Sequence, residues 1–334
     1  MFFNRSISKS VIPLVFALVL VLVDGHRPVR HLLSSRALSS IPQTQAQSAV
    51  AAYPPGPFGP NNIPPPRCDH LDWRYRNGEY IRDQQDHFRF HCYLAMAAFG
   101  NFAATCPQTF TQGFRVLQTF SRGFIARIEE MKKVVIVFQD IKRKYYGNVD
   151  LNPVPVSGFI KNCSDCLVAA GIVQRYLDVK RETNGFAVAK AEVRASANTS
   201  NPMLFSVTGA GWGGALAALC GLDLGSTNDV HYAHNSGTPR FMNYAAVARY
   251  DDLFQLLAGQ SVVSRNDFAV NFVPYGNFTH LGQKVRIWGE KSQWYVNCFG
   301  CNENATCLGD GSSEDDHYNY FTPAGYCGSA DKGF

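Results

Sequence analysis

The stretch LFSVTGAGWGGALAALCGLDLG, Leu204 to Gly225, limits the fold more than any other part of the chain. It runs from an apolar strand through a glycine-rich turn into an apolar helix, the unit from which parallel sheets with crossover helices are built. Its turn, Gly209-Ala210-Gly211-Trp212-Gly213-Gly214, satisfies G-x-G-x-x-G, the pattern that seats a pyrophosphate on a helix N-terminus. The same residues fit G-x-S-x-G, the tight turn that displays a hydrolase nucleophile, except that Gly211 stands where that motif has serine.

A dinucleotide site also needs a second strand that ends in an acid to hold the adenosine ribose. Asp229 has roughly the right spacing but begins the next strand, which runs out into His234-Asn235-Ser236-Gly237. The start of the chain weighs against it too. Arg5 and Lys9 precede an uncharged apolar run, Val11 to Val23, that is short for a membrane span and typical of a signal peptide. The expectation is cleavage after residue 25 and export to a compartment poor in nicotinamide cofactors. No cofactor is expected, and no transmembrane span once the signal is removed.

All ten cysteines follow that leader, and an even number suits a disulfide framework in a secreted, extracellular protein. Four glycosylation sequons agree: Asn162-Cys163-Ser164, Asn198-Thr199-Ser200, Asn277-Phe278-Thr279 and Asn304-Ala305-Thr306. The net charge of +5 belongs to the leader and tail, because residues 1–67 hold six basic residues and one acid. The remainder carries 25 of each sign, so it has no basic footprint for nucleic acid. Residues 26–67 are basic and serine-rich, then proline-rich, with seven prolines between Tyr53 and Arg67; they read as a tail or linker. Residues 68–334 are long enough for one domain with a large core.

Within that domain KKVVIVFQD reads as a buried strand, FHCYLAMAAFGNFAAT as a helix, and 157–182 as one long helix with an irregular start. After the Leu204–Gly225 unit come a strand at HYAHN, a helix near NYAAVARYDDLF, and strands at SVVS, KVRIW and QWYVN. Alternating strands and helices imply an α/β domain: a mostly parallel central sheet flanked by helices.

Several blocks carry a family resemblance. VTGAGWGGALAAL resembles the nucleophile segment of class 3 lipases, the fungal triacylglycerol lipase-like family. HNSGTPRFMNYAA is similar to that family's next block through Pro239, Arg240 and Asn243, although Met242 stands for glycine. SVVSRNDFAVNFVP resembles the strand end that delivers its aspartate, here Asp267. FTHLGQKVRIW matches a subsequent block through His280, Gly282 and Trp288, and DDHYNYF resembles the site of its histidine, here His317. VVIVFQDI and VSGF stand where the family has its oxyanion strand end and an upstream His-x-Gly-Phe. The blocks keep family order from Val134 to Phe321.

The resemblance implies an α/β-hydrolase-type fold and a triad in which a serine attacks, a histidine takes its proton and an aspartate orients the ring. Asp267 and His317 would be the retained dyad, and Gly211 the nucleophile position with its serine lost. The oxyanion region would be Trp212 with Asp140 and Ile141, where the family has glycine and a hydroxyl residue. Ile141 offers only its backbone N–H, and Asp140 would set a negative charge beside a developing oxyanion. These departures imply a degenerate lipase-like protein that binds a lipid or ester in its cleft, or a protein partner. The alternative is an active lipase or esterase using another nucleophile, or water activated by Asp267 and His317.

Other candidates have plainer explanations. Ser206, Ser236 and Ser264 lie away from the turn, and His234 and His280 suit packing or hydrogen bonding. Cys298-x-x-Cys301 with Cys307, Cys327 and His317 could imitate a zinc site, and Cys163-x-x-Cys166 a redox motif; export favours disulfides in both, with no metal. Cys220, inside the apolar helix, is expected as a buried free thiol. Lys142 to Pro155, with its basic residues and tyrosines, is either a surface for lipid or an anionic partner, or a solvated loop.

Overall fold

The computed structural model describes residues 71–75, 90–99, 113–227, 229–254, 258–288, 294–299, 303–320 and 322–323. The leader, the tail and four of the ten cysteines lie outside them. All described residues belong to one unit, Pro55–Phe334.

Strands β4 (Lys133–Phe138), β7 (Leu204–Ala210), β8 (Tyr232–Ser236), β9 (Ser261–Ser264) and β10 (Gln283–Trp288) form a parallel centre. Antiparallel wings extend it: β1 (Leu71–Tyr75) and β11 (Trp294–Phe299) beyond β10, and the hairpin of β2 (Phe114–Phe120) and β3 (Gly123–Ile128) beyond β4. The nine strands run in the order β1-β11-β10-β9-β8-β7-β4-β3-β2. This is an α/β-hydrolase-type sheet.

Burial explains why the central strands are readable in the sequence. Every residue of β4 is buried, as expected for a strand covered on both faces. Alternate residues serve different cores. Val134, Ile136 and Phe138 join the larger core, while Val135 and Val137 pack with Phe90 and Leu94 of helix α1 (90–97). Helices α2 (Ala170–Glu182) and α3 (Ala187–Ser196) lie between β4 and β7 in sequence. Helix α4 (Gly211–Gly225) links β7 to β8 and is buried at all fifteen positions, so its sequence is apolar all round. Its glycines have a steric cause. A Cβ on Gly213 would fall 2.6 Å from the Phe138 carbonyl oxygen, so the helix could not approach β4 as closely with any other residue there.

Helix α5 (Tyr244–Leu253) is capped by Asn243, whose Oδ1 accepts the N–H groups of Ala246 and Leu167, both at 3.0 Å. Two expectations need correction. The helix expected from residue 157 starts only at Ala170. Before it the chain makes turns around a Cys163–Cys166 disulfide, and a short strand β6 (Leu167–Ala169) pairs with β5 (Pro153–Pro155). The β2–β3 hairpin has no counterpart among the expected elements. Further elements are a 3-10 turn (Arg143–Asn148), two short helices, α6 (Ala305–Leu308) and α7 (Glu314–His317), and a small β12–β13 ladder (Asn319–Tyr320, Thr322–Pro323). Cys298 is bonded to Cys307, which removes both from any zinc site; Cys92 and Cys220 are buried free thiols. No described helix is long and apolar enough to cross a membrane.

Candidate active site

The parallel strands deliver their chemistry at their C-terminal ends, where open α/β sheets generally carry their sites. Asp140 follows β4, Gly211 follows β7, Asp267 follows β9, and His317 ends α7. Ser313 caps α7 by accepting the Asp316 N–H at 3.1 Å, and its backbone pairs beside Asp267. The expected residues thus meet in one place.

Gly211 has φ +54, a left-handed conformation that suits glycine. A Cβ built on it would fall 2.1 Å from the Tyr146 hydroxyl and 2.2 Å from Asp140 Oδ2. The volume beside this turn is already taken, and the occupant is a carboxylate. Asp140 Oδ1 accepts the backbone N–H of Ile141 at 2.7 Å and that of Trp212 at 2.8 Å. Asp140 Oδ2 accepts a short hydrogen bond from the Tyr146 hydroxyl and lies 2.9 Å from His317 Nε2. On the other side of the ring, His317 Nδ1 sits 2.9 Å from Asp267 Oδ1. Asp267 is fixed in turn by the Ala269 N–H at 2.8 Å and the Tyr320 hydroxyl at 2.5 Å.

His317 therefore lies between two carboxylates, and all three side chains are wholly buried. Burial by itself would push the His317 pKa down. The charge of Asp267 and hydrogen bonds to both aspartates outweigh it and raise the pKa to about 10. The ring is an imidazolium near neutral pH, with one N–H directed at each aspartate. Tyr146 is held well above the usual phenol range by burial first and by Asp140 second, so it remains a donor. The desolvated charges are paid for by this complete set of donors: each oxygen of Asp140 has two partners.

Asp140, expected as a negative charge in this region, has partners on both oxygens: the N–H groups of Ile141 and Trp212 on Oδ1, and Tyr146 and His317 on Oδ2. The Ile141 N–H is engaged by Asp140, while its side chain is buried in the core. Trp212 is buried as well, 6.0 Å ring to ring from Tyr146.

The expected loop at Lys142–Pro155 is divided in its environment. Lys142 to Tyr145 are exposed, but Tyr146, on the 3-10 turn Arg143–Asn148, points inward against Phe268, Phe272 and Trp212. Neither Tyr146 nor Tyr320 is among the expected site residues. Tyr320 sits in the DDHYNYF block, which could have marked it; nothing in the sequence marks Tyr146. The lesser candidates fall outside the cluster. Ser236 donates to Cys92 Sγ, Ser264 to the Asn319 carbonyl, and Ser206 is buried in β7. His234 stacks near Tyr232 and His91, and the His280 N–H donates to Glu303, which also pairs with Arg240. Among the described residues no acid, histidine and cysteine cluster is arranged for a metal.

No family model matches the sequence. Among solved structures, the chain is similar to a triacylglycerol lipase whose catalytic centre is a serine protease triad, with TM-score 0.64 and 19% identity over 77% of this chain and 100% of that one. It is similar to the Rhizomucor miehei lipase in complex with its propeptide, with TM-score 0.63 and 18% identity over 79% of this chain and 87% of that one. Lip2 lipase from Yarrowia lipolytica gives TM-score 0.63 and 19% identity over 77% and 98%. At these identities the likeness is one of architecture, and the chain has an α/β-hydrolase-type fold of the kind seen in fungal triacylglycerol lipases.

Proposed function

We propose that this is a lipase-fold protein that does not hydrolyse carboxylic esters and instead binds a lipid or a protein partner. The observation that carries the reading is the Asp140 carboxylate, held by the N–H groups of Ile141 and Trp212 and by His317. In a serine hydrolase those N–H groups stabilise the oxyanion, and the histidine must be neutral to take the serine proton. Here the donors are filled, the histidine is an imidazolium, and Gly211 carries no hydroxyl. Gly211 is read as the nucleophile position with its serine lost, and Asp267–His317 as the remnant dyad. Water activation by that dyad is disfavoured for the same reason: a ring that already bears both protons is no base.

Export fits this reading. The Cys163–Cys166 and Cys298–Cys307 disulfides suit an oxidising compartment, and the sequon asparagines Asn162, Asn198 and Asn277 are exposed. The test is to assay the secreted protein on nitrophenyl esters and triacylglycerols, label it with a fluorophosphonate, and extract it for co-purifying lipid. No turnover and no labelling are expected. Ester turnover that disappears in His317→Ala would overturn the reading.

A further inference from the structure

We propose that Asp140 is itself a nucleophile, and that the site opens oxiranes bearing an apolar substituent through an alkyl ester on Asp140. This goes beyond the reading above, since alkyl transfer to a carboxylate needs no serine.

The geometry resolves Asp140 into two unlike oxygens. Oδ1 lies between two backbone N–H groups, where a tetrahedral oxyanion on Cγ would be stabilised. Oδ2 faces the His317 N–H and the Tyr146 hydroxyl. Carboxylates are established covalent nucleophiles when held beside a proton donor and a base. The Tyr146 hydroxyl marks where the substrate would sit: it touches Oδ2 and lies 3.2 Å from His317 Nε2, within reach of both nucleophile and proton donor. Its ring fills a slot lined by Phe268, Phe272 and Trp212 at centroid distances of 5.2, 5.3 and 6.0 Å. Tyr146 is the one buried residue of its short 3-10 turn, and no side chain caps that turn. Displacing this single side chain would vacate an aromatic slot next to a nucleophile. Trp212, one of the rings lining that slot, has its Nε1 buried without a hydrogen-bond partner.

The electron and proton balance selects an oxirane over an alkyl halide. Asp140 Oδ2 donates a pair to an oxirane carbon; the C–O bond breaks, and its pair stays on oxygen, which takes the Nε2 proton of His317. The products are an alkyl ester on Asp140 and a neutral His317. Esterification removes one of the two carboxylate charges that kept the ring protonated, so His317, still oriented by Asp267, becomes a base. It takes a proton from water, and the hydroxide adds to Cγ while Oδ1 carries the charge. Collapse returns the ester C–O pair to the alcohol oxygen, which takes the proton back from His317. The acid proton on Asp140 then passes to His317, restoring the carboxylate–imidazolium pair and releasing a diol. A halide accepts no proton, so it would leave His317 an imidazolium with no base for the second half.

The test uses the full secreted chain and styrene oxide, whose phenyl ring stands in for that of Tyr146. The unmodified protein should form phenylethanediol, and Tyr146→Ala should form it faster. Asp140→Asn should fall to the rate of buffer. In the unmodified protein an acid quench within the first turnover should trap the ester as a gain of one styrene oxide mass on the peptide carrying Asp140. His317→Gln, which lacks the proton donor of the first step, should form neither ester nor diol. A single turnover in heavy-oxygen water should leave heavy oxygen in that peptide. Thermal melts establish that each variant is folded. No diol and no adduct with the unmodified protein and with folded Tyr146→Ala, or an adduct on any other residue, overturns the proposal. Either result leaves the ester assays untouched, so the two readings fail separately.

Discussion

Gly211, Asp140 and His317 depend on one another at the level of single atoms. A serine at position 211 would place its Cβ on the Tyr146 hydroxyl and on Asp140 Oδ2, in a backbone conformation that L-residues rarely adopt. Gly211→Ser should therefore lose about 1–3 kcal/mol of stability and stay at background on a short-chain nitrophenyl ester. Ester turnover should require Asp140→Gly and Ile141→Thr as well, since these vacate the N–H pair and restore a hydroxyl. Robust turnover by the single variant, abolished by His317→Ala, would refute this account of the site. The charge state of His317 gives a second expectation. Its folded pKa, about 10, lies above the ordinary 6.5, so the folded chain holds this proton more tightly than the unfolded one. The stabilisation is complete below about pH 6.5 and is lost as pH rises through about 10. The melting temperature of the unmodified protein minus that of His317→Gln should shrink across that window. The difference is the proper measure, because Lys133 and Lys284, each pushed down to about 7 by burial, act with the opposite sign over much of the same range. A difference that stays flat from pH 6 to 10 would refute the imidazolium.

Among the elements, α5 depends on a single side chain. Asn243 caps it, takes the Leu167 N–H, and donates to the Asp165 carbonyl at 2.8 Å, which ties the helix to β6. Asn243→Ala should cost about 2 kcal/mol, roughly 5 °C in a melt, while Asn243→Asp keeps the cap and loses less. The elements differ in how openly the sequence announces them. Strand β4 is legible because a strand buried on both faces reads as an unbroken apolar run, Val134 to Phe138. The Leu204–Gly225 unit is legible because close backbone approach admits only glycine. The start of α2 is misleading because Phe159, Ile160 and Leu167 imitate helical spacing, whereas the Cys163–Cys166 bond and local turns govern that stretch. Strand β2 is hard to see because its residues are mostly half-exposed, without clean alternation. At the site, the residue pattern marks Asp140 as foreign to a hydrolase, but not as the occupant of its donors. Which way a side chain turns, and that Tyr146 turns inward while Tyr145 beside it turns out, are settled by packing and carry no trace in the residue pattern.

On the scale of the whole molecule, thiol chemistry should divide the chain cleanly. Cys92 and Cys220 are buried, and burial pushes the Cys92 thiol up to about 12, so neither should react with an alkylating agent in the folded protein. Both should react once the chain is denatured without reductant, while the peptides holding Cys163, Cys166, Cys298 and Cys307 stay unlabelled. Ten labelled thiols before reduction would contradict both the disulfides and export. The site itself has a consequence for how the chain reaches this state. His317 meets Asp267 across a sequence separation of 50 and Asp140 across 177. Each contact closes a long loop, and the entropy lost in closing it must be met before the contact gives anything back. Charges this deeply buried also gain from one another only after water has left. The aspartate–imidazolium–aspartate bridge thus belongs among the last contacts to form, acting as a latch that retards unfolding instead of a seed that starts folding.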